Sequence, residues 1–143
     1  MPKKLTEPSV SEAQIQQACT QMLELDGWRS LRTSPVSNRA RGVGFGEPGM
    51  ADCLYIRYEP ETQIPPQHRK PCDYSYAQIM WIEWKRLTKS GKPTKAAWHQ
   101  NAWHALERKR GALTLIAGQD FEASIEEFRE WYKTSGLMRN RIL

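Results

Sequence analysis

Gln78-Ile79-Met80-Trp81-Ile82-Glu83-Trp84-Lys85 is the stretch that decides the fold. Its apolar run is nearly continuous, which fits a strand buried on both faces at the centre of a sheet. Two charges interrupt it, Glu83 and Lys85. Positions i and i+2 of a strand share a face, so these two project together while Ile82 and Trp84 point the other way. Burying an ionised carboxylate is costly unless it is paired or binds a cation.

On the carboxyl side, Ser90-Gly91-Lys92-Pro93 reads as a turn. Thr94 can cap a helix running to about Arg110, and Gly111 closes it. Ala112 to Ala117 reads as a short buried strand and Asp120 to Thr134 as an amphipathic helix. On the amino side, Asp52 to Tyr58 alternates as a strand should. Between them, residues 59–76 carry Pro60, Pro65, Pro66 and Pro71 and read as a loop or hairpin insertion. Residues 34–49, with four Gly, two Pro, Arg39 and Arg41, form a long loop. Trp28 to Thr33 can be a short strand. Residues 9–26 read as a helix, with Ile15, Ala18, Cys19, Met22 and Leu23 at helical spacing, a capping-box pattern in Ser9 and Glu12, and Gly27 as terminator. The expected order is α-β-β-β-α-β-α, an α/β fold in one domain over residues 1–143 with its core at about 9–135.

Composition narrows the function classes. Six Trp, five Tyr and three Phe supply large buried surfaces and argue against a disordered chain. No apolar run approaches the ~18 residues of a membrane span, and Met1 to Glu7 lacks the apolar core of a signal peptide, so a cytoplasmic protein without membrane contact is expected. Cys19, Cys53 and Cys72 lack CxxC spacing and read as reduced thiols. The net charge is +5. It is unevenly spread: eight cations against Glu107 alone between Lys85 and Arg110, and five acids against Arg129 alone between Asp120 and Glu130. One side can face phosphates while the last helix faces solvent; two solvated helix faces of opposite sign fit equally well.

If the strand opening at Asp52 pairs with the one ending at Glu83, two carboxylates meet at one point. With a backbone carbonyl they form a hard oxygen site suited to Mg²⁺ or Mn²⁺. Lys85 beside them can orient a metal-bound water and stabilise charge developing on phosphate. Such parts can hydrolyse a phosphodiester. A plain Glu83–Lys85 pair at a strand end, with Asp52 as a turn residue, is the alternative.

The wider pattern resembles the VRR-NUC family of the PD-(D/E)xK nuclease superfamily, from about Ser11 to Gly118. The residues concerned are Gly49-x-x-Asp52, Trp81-Ile82-Glu83-Trp84-Lys85, Lys92-Pro93-Thr94 leading into a helix with Gln100, and Gly111 before an apolar strand, with Ser11-Glu12 and Gly27-Trp28 upstream. Ala51 stands where the family usually has Pro, and Trp84 where smaller aliphatics are usual; neither change removes a catalytic group. The resemblance implies a restriction-endonuclease-like core, a mixed sheet flanked by helices with a divalent metal at its edge. It implies Asp52, Glu83 and the Trp84 backbone carbonyl as metal ligands, Lys85 as the catalytic lysine and Gln100 as a supporting catalytic-site residue. It also places Glu12 at an acidic position that contacts metal or its waters, although an acid at a helix start has a simpler explanation as a cap.

The function so implied is a metal-dependent DNA endonuclease leaving 5′-phosphate and 3′-hydroxyl ends. Free-standing relatives, many of them phage-borne, resemble structure-selective nucleases, including resolvases of four-way junctions, and tend to be homodimers. Cutting two strands symmetrically with one site per chain needs a twofold pair. A sequence-led restriction-type enzyme, or a non-catalytic nucleic-acid-binding module on the same fold, are the rival readings. Arg39, Arg41, Lys89, Lys92 and Lys95 are candidate phosphate contacts. Trp98 and Trp103 read as helix packing rather than base-stacking platforms. His68, His99 and His104 lack the spacing of a helical zinc pair. Arg139 and Arg141 read as a short basic tail. Phe121, Ile125, Phe128 and Trp131 can cover the sheet or meet a second subunit.

Overall fold

A computed structural model describes residues 10–33, 47–58, 64–73, 77–86, 96 and 98–142. Along them run α1 (Glu12–Leu25), β1 (Arg29–Arg32), β2 (Cys53–Tyr58), β3 (Ala77–Glu83), α2 (Trp98–Lys109), β4 (Leu113–Ile116) and α3 (Ile125–Thr134). Two short 3-10 turns, Pro66–His68 and Pro71–Asp73, break up the described part of the 59–76 segment. The element order is the expected one, and the class is α/β with a mixed sheet.

The strands lie in the order β1-β2-β3-β4. The first two pairings are antiparallel and the last is parallel, so α2 serves as the crossover that a parallel pair requires. Cys53, Ile82 and Leu115 lie side by side on one face, and Leu54, Trp81 and Thr114 on the other. The first face meets α1 and α3. There Ile15, Cys19 and Leu23 join Tyr55, Met80, Trp84, Phe128 and Tyr132 in a core cluster of buried side chains. Phe121 and Phe128 meet edge-on, Trp131 lies tilted against both, and together they cover the sheet; Trp84 lies 5.2 Å from the Phe128 ring. The second face meets α2, where Trp81 packs against Trp103 at 5.2 Å.

Several boundaries differ from the sequence expectation, each for a local reason. The capping box is Ser11 with Gln14, not Ser9 with Glu12: Ser11 N–H donates to Gln14 Oε1 at 2.9 Å and Gln14 N–H to Ser11 Oγ at 3.2 Å. This register puts Ile15 at the fourth helical position, facing the core, and leaves Glu12 as the first-turn acid that favours the helix dipole. Ser9 and Thr94 lie outside the described residues. β3 is buried on both faces only in its second half; Ala77 and Ile79 are exposed. The last helix starts at Ile125, not Asp120, because Ser124 is the cap and accepts from Glu127 N–H. Asp120 instead accepts from Ile116 N–H and from Arg108.

A second departure is larger. Asp26, the residue that caps the end of α1, is 1% exposed and holds together elements far apart in the chain. It accepts from Arg57 on β2 at 2.9 Å, from the Tyr132 hydroxyl on α3, and from the backbone N–H groups of Arg139 and Asn140 at 3.1 and 2.7 Å. Arg57 also lies 4.3 Å over the Trp28 ring and donates to Gln78 on β3. The carboxyl-terminal segment is thus latched onto the core rather than being a free basic tail. Among the described residues no helix is long and apolar enough to cross a membrane.

Burial by itself would push the Asp26 carboxyl up, but the bonds from Tyr132, Asn140 and Arg139 and the Arg57 charge hold it below its ordinary value. A folded-state value below the unfolded one makes the stabilisation complete above ~pH 4–5 and lost as pH falls through the folded-state value. Asp26→Ala, which leaves Arg57 buried and unpaired, is expected to cost about 3–5 kcal/mol in urea unfolding at pH 7. Asp26→Asn is expected to flatten the fall in stability below ~pH 4. An unchanged acid limb in that variant would show that other carboxylates set it.

Candidate active site

The start of β2, the end of β3 and the first turn of α2 converge at one corner of the sheet. Asp52 directly precedes β2, and Cys53 is opposite Ile82, so the register carries Asp52 to a position opposite Glu83 on the α2 face. Each carboxylate accepts from the other strand's main chain. Asp52 N–H donates to Glu83 Oε2 at 3.1 Å, and Trp84 N–H donates to Asp52 Oδ2 at 3.3 Å. Thr33 N–H reaches the Asp52 carbonyl at 3.0 Å and the Thr33 hydroxyl donates to the Ala51 carbonyl, fixing the same corner from β1.

Lys85 and Gln100 complete the group. Lys85 Nζ lies 3.0 Å from Glu83 Oε1 and 3.2 Å from Gln100 Oε1, while Gln100 Nε2 donates to Glu83 Oε1 at 2.6 Å. The structure therefore brings Asp52, Glu83, Lys85 and Gln100 into one hydrogen-bonded set. Trp84 turns its ring into the core, where its indole N–H meets Tyr55 Oη at 3.0 Å, leaving its main chain at the corner. Glu12 stands in the first turn of α1, and among the described residues no group of three or more His, Cys, Asp or Glu gathers in a metal-binding arrangement. Arg39, Arg41, Lys89, Lys92 and Lys95 lie outside the described residues.

Glu83 is 2% exposed. Burial first, and the Asp52 charge second, push its carboxyl well above the ordinary carboxylate range, against the opposing pull of Lys85 and the Asp52 N–H. A carboxylate has about four acceptor positions. Three of Glu83's are taken, two on Oε1 and one on Oε2. The two neighbouring carboxylates repel, and a hard cation between them would relieve that repulsion. One or two carboxylates, supplemented by carbonyl, water or phosphate oxygens, is a donor set that suits Mg²⁺ or Mn²⁺ and not zinc. The residues present fit such an ion.

Some contacts of this corner are not legible from motif spacing. Gly49 has φ +83°, and a Cβ there would fall 2.6 Å from the His99 carbonyl carbon and 3.0 Å from the Gln100 nitrogen. The turn before Asp52 thus lies directly against the first turn of α2, which fixes the distance from Asp52 to Gln100. Glu47 helps hold it by accepting from Trp103 Nε1 at 2.9 Å. His104, one helical turn beyond Gln100, is buried and its Nδ1 meets the Thr114 hydroxyl. Burial, with Arg108 next, lowers its pKa to about 4, so it packs as a neutral ring. Trp103 is packed as expected; Trp98 is not, being 81% exposed.

No protein-family model, curated protein or solved structure matches the chain.

Gly49→Ala combines a left-handed backbone with a collision against backbone atoms that cannot swing aside. The expected loss is about 2 kcal/mol or more in denaturant unfolding. The Asp52 and Gln100 amide resonances should shift while those around Asp26, at the other end of the sheet, stay in place. A variant as stable as the parent would mean that the turn and α2 separate without cost.

Proposed function

We propose that the chain is a divalent-metal-dependent DNA endonuclease on a restriction-endonuclease-like core. The observation that carries this reading is the pairing of Asp52 and Glu83 at the end of adjacent strands, with Lys85 and Gln100 bonded to the second carboxylate. Asp52 and Glu83 would hold Mg²⁺ or Mn²⁺, with the Trp84 carbonyl as a main-chain ligand. When bound, the ion supplies Lewis-acid chemistry, activating a water and neutralising phosphate charge.

The chain's own groups supply positioning and proton control. Lys85 carries a cation and three N–H donors at the carboxylate edge, where it can orient a water for in-line attack and stabilise negative charge on phosphate. Gln100 holds Glu83 Oε1 and Lys85 Nζ at once, so neither side chain swings free. The raised affinity of Glu83 for a proton means that it stays ionised best when a cation faces it. Excess Lys and Arg across residues 85–110 suits a polyanionic substrate. One site per chain suits a homodimer that cuts two strands of a branched or four-way DNA junction, and such a substrate is met in the cytoplasm of a bacterial or phage-infected cell.

The test is cleavage of a labelled four-way junction, a matched duplex and a single strand, each with Mg²⁺, Mn²⁺ or EDTA. Metal-dependent paired cuts are expected for the parent chain. Asp52→Ala, Glu83→Ala and Lys85→Ala are each expected to reduce the rate by about 10²-fold or more. Lys85→Ala should still bind the junction in EDTA. DNA binding with no cutting under any metal would replace this reading with a non-catalytic binding module.

A further inference from the structure

Trp98 is the most exposed of the large apolar side chains among the described residues, at 81%. Tryptophan is highly buried on average, and this one contrasts with Trp28, Trp84 and Trp103, which are all buried. It is the first residue of α2, two positions before Gln100, whose Nε2 bonds Glu83. Helix geometry puts its Cα about 5.5 Å from that of Gln100. Side chains on a helix lean toward its amino end, and here that end is the corner holding Asp52, Glu83 and Lys85. The outer face of α2 continues from Trp98 through exposed Ala102, Ala105 and Leu106. It carries no free acid, since Glu107 is paired with Arg110 at 2.7 Å.

We infer that Trp98 is a stacking platform for an unpaired nucleobase next to the phosphate engaged by the Asp52–Glu83–Lys85 corner. The choice of a nucleic acid as the ligand rests on the proposed function. Charge favours this occupant over a second copy of the chain. The stretch from Lys85 to Arg110 carries eight cations against Glu107 alone, so two copies of it would repel each other whereas a polyanion is attracted. A flat indole offers its face to any base, which gives preference for unpaired nucleotides over stacked duplex without reading sequence. In a branched DNA such nucleotides occur at the branch point, so the platform would select structure and leave sequence unread.

The test uses the full chain and its Trp98→Ala and Trp98→Phe variants. Binding to a fluorescein-labelled single strand, a blunt duplex of the same sequence and a four-way junction is followed by anisotropy in EDTA, so that cleavage plays no part. Trp98→Ala is expected to weaken single-strand and junction binding roughly tenfold or more and duplex binding less than twofold. Trp98→Phe should recover most of the loss. The dependence on salt should be unchanged, because phosphate contacts set it. Circular dichroism and melting should match the parent, as an exposed side chain contributes little to the core. Equal losses on all three DNAs, no loss, or no binding by the parent would each overturn the inference. So would a concentration-dependent dimer that Trp98→Ala dissociates without DNA present. The two readings fail separately: selective loss of single-strand binding in a chain that never cuts removes the nuclease and keeps the platform, while unchanged binding in a chain that cuts does the reverse.

Discussion

The Glu83 carboxylate ties together the start of β2, the end of β3 and the first turn of α2. It is buried, so its oxygens cannot rely on water and must be met by donors from the protein. Those donors are the Asp52 N–H ahead of β2, Gln100 on α2 and Lys85 just past β3, while the Glu83 carbonyl accepts from Ala117 N–H beyond β4 at 2.9 Å. Satisfying one acid thus sets the register of the sheet edge and the seat of α2. An apolar side chain would pack in that position at lower cost, since a buried ion pair adds little net stability. Packing alone therefore does not account for an acid at this position.

Asp26 provides the contrast within the same molecule. Both acids are almost fully buried, yet their proton affinities move in opposite directions. Asp26 is surrounded by donors, including a guanidinium, a phenol and two backbone N–H groups. Glu83 has fewer donors and a like charge beside it. A fully satisfied acid behaves as a structural staple, and here it staples α1, β2, α3 and the carboxyl-terminal segment. An acid under pressure from a like charge has affinity to spare for a cation or a proton. The two ends of the sheet thus hold buried acids in opposite electrostatic settings.

What was legible in the sequence follows from how local each signal is. The strand ending in Glu83-Trp84-Lys85 could be read because alternation and apolarity sit within eight residues. The meeting of Asp52 and Glu83 was legible only as a condition on the strands pairing, since a shift of two residues would also keep Cys53, Tyr55 and Arg57 on the face of Ile82 and Met80; the observed register sets Cys53 opposite Ile82. The Ser11–Gln14 box was missed because Gln closes such a box as Glu does, and Ser9–Glu12 offered the more familiar pair. Asp26 was illegible: its partners lie 31, 106, 113 and 114 positions away, and no spacing rule spans those distances. The role of Gly49 was carried by a contact with α2 backbone that has no side-chain signature. Trp98 and Trp103 look alike in sequence, being five residues apart on one helix. Five residues is about 500° of turn, so they stand about 140° apart around the axis, enough to put one against the sheet and the other in solvent.

That angular separation also governs how α2 is seated. Trp103 and His104 fasten α2 to Trp81 and Thr114, so the helix is anchored by its middle. Its first turn is held by Gly49 and Gln100, each through the residues of the corner itself. The acidic outer face of α3 lies on the opposite layer of the sheet, away from α2. A negatively charged ligand at the corner would find Lys85 and Arg86 beside the two carboxylates, together with the partial positive charge at the amino end of a helix. A cation held by Asp52 and Glu83 would remove the remaining repulsion. On the proposed function, metal and anionic ligand would reinforce one another's binding, because each would neutralise the charge that opposes the other.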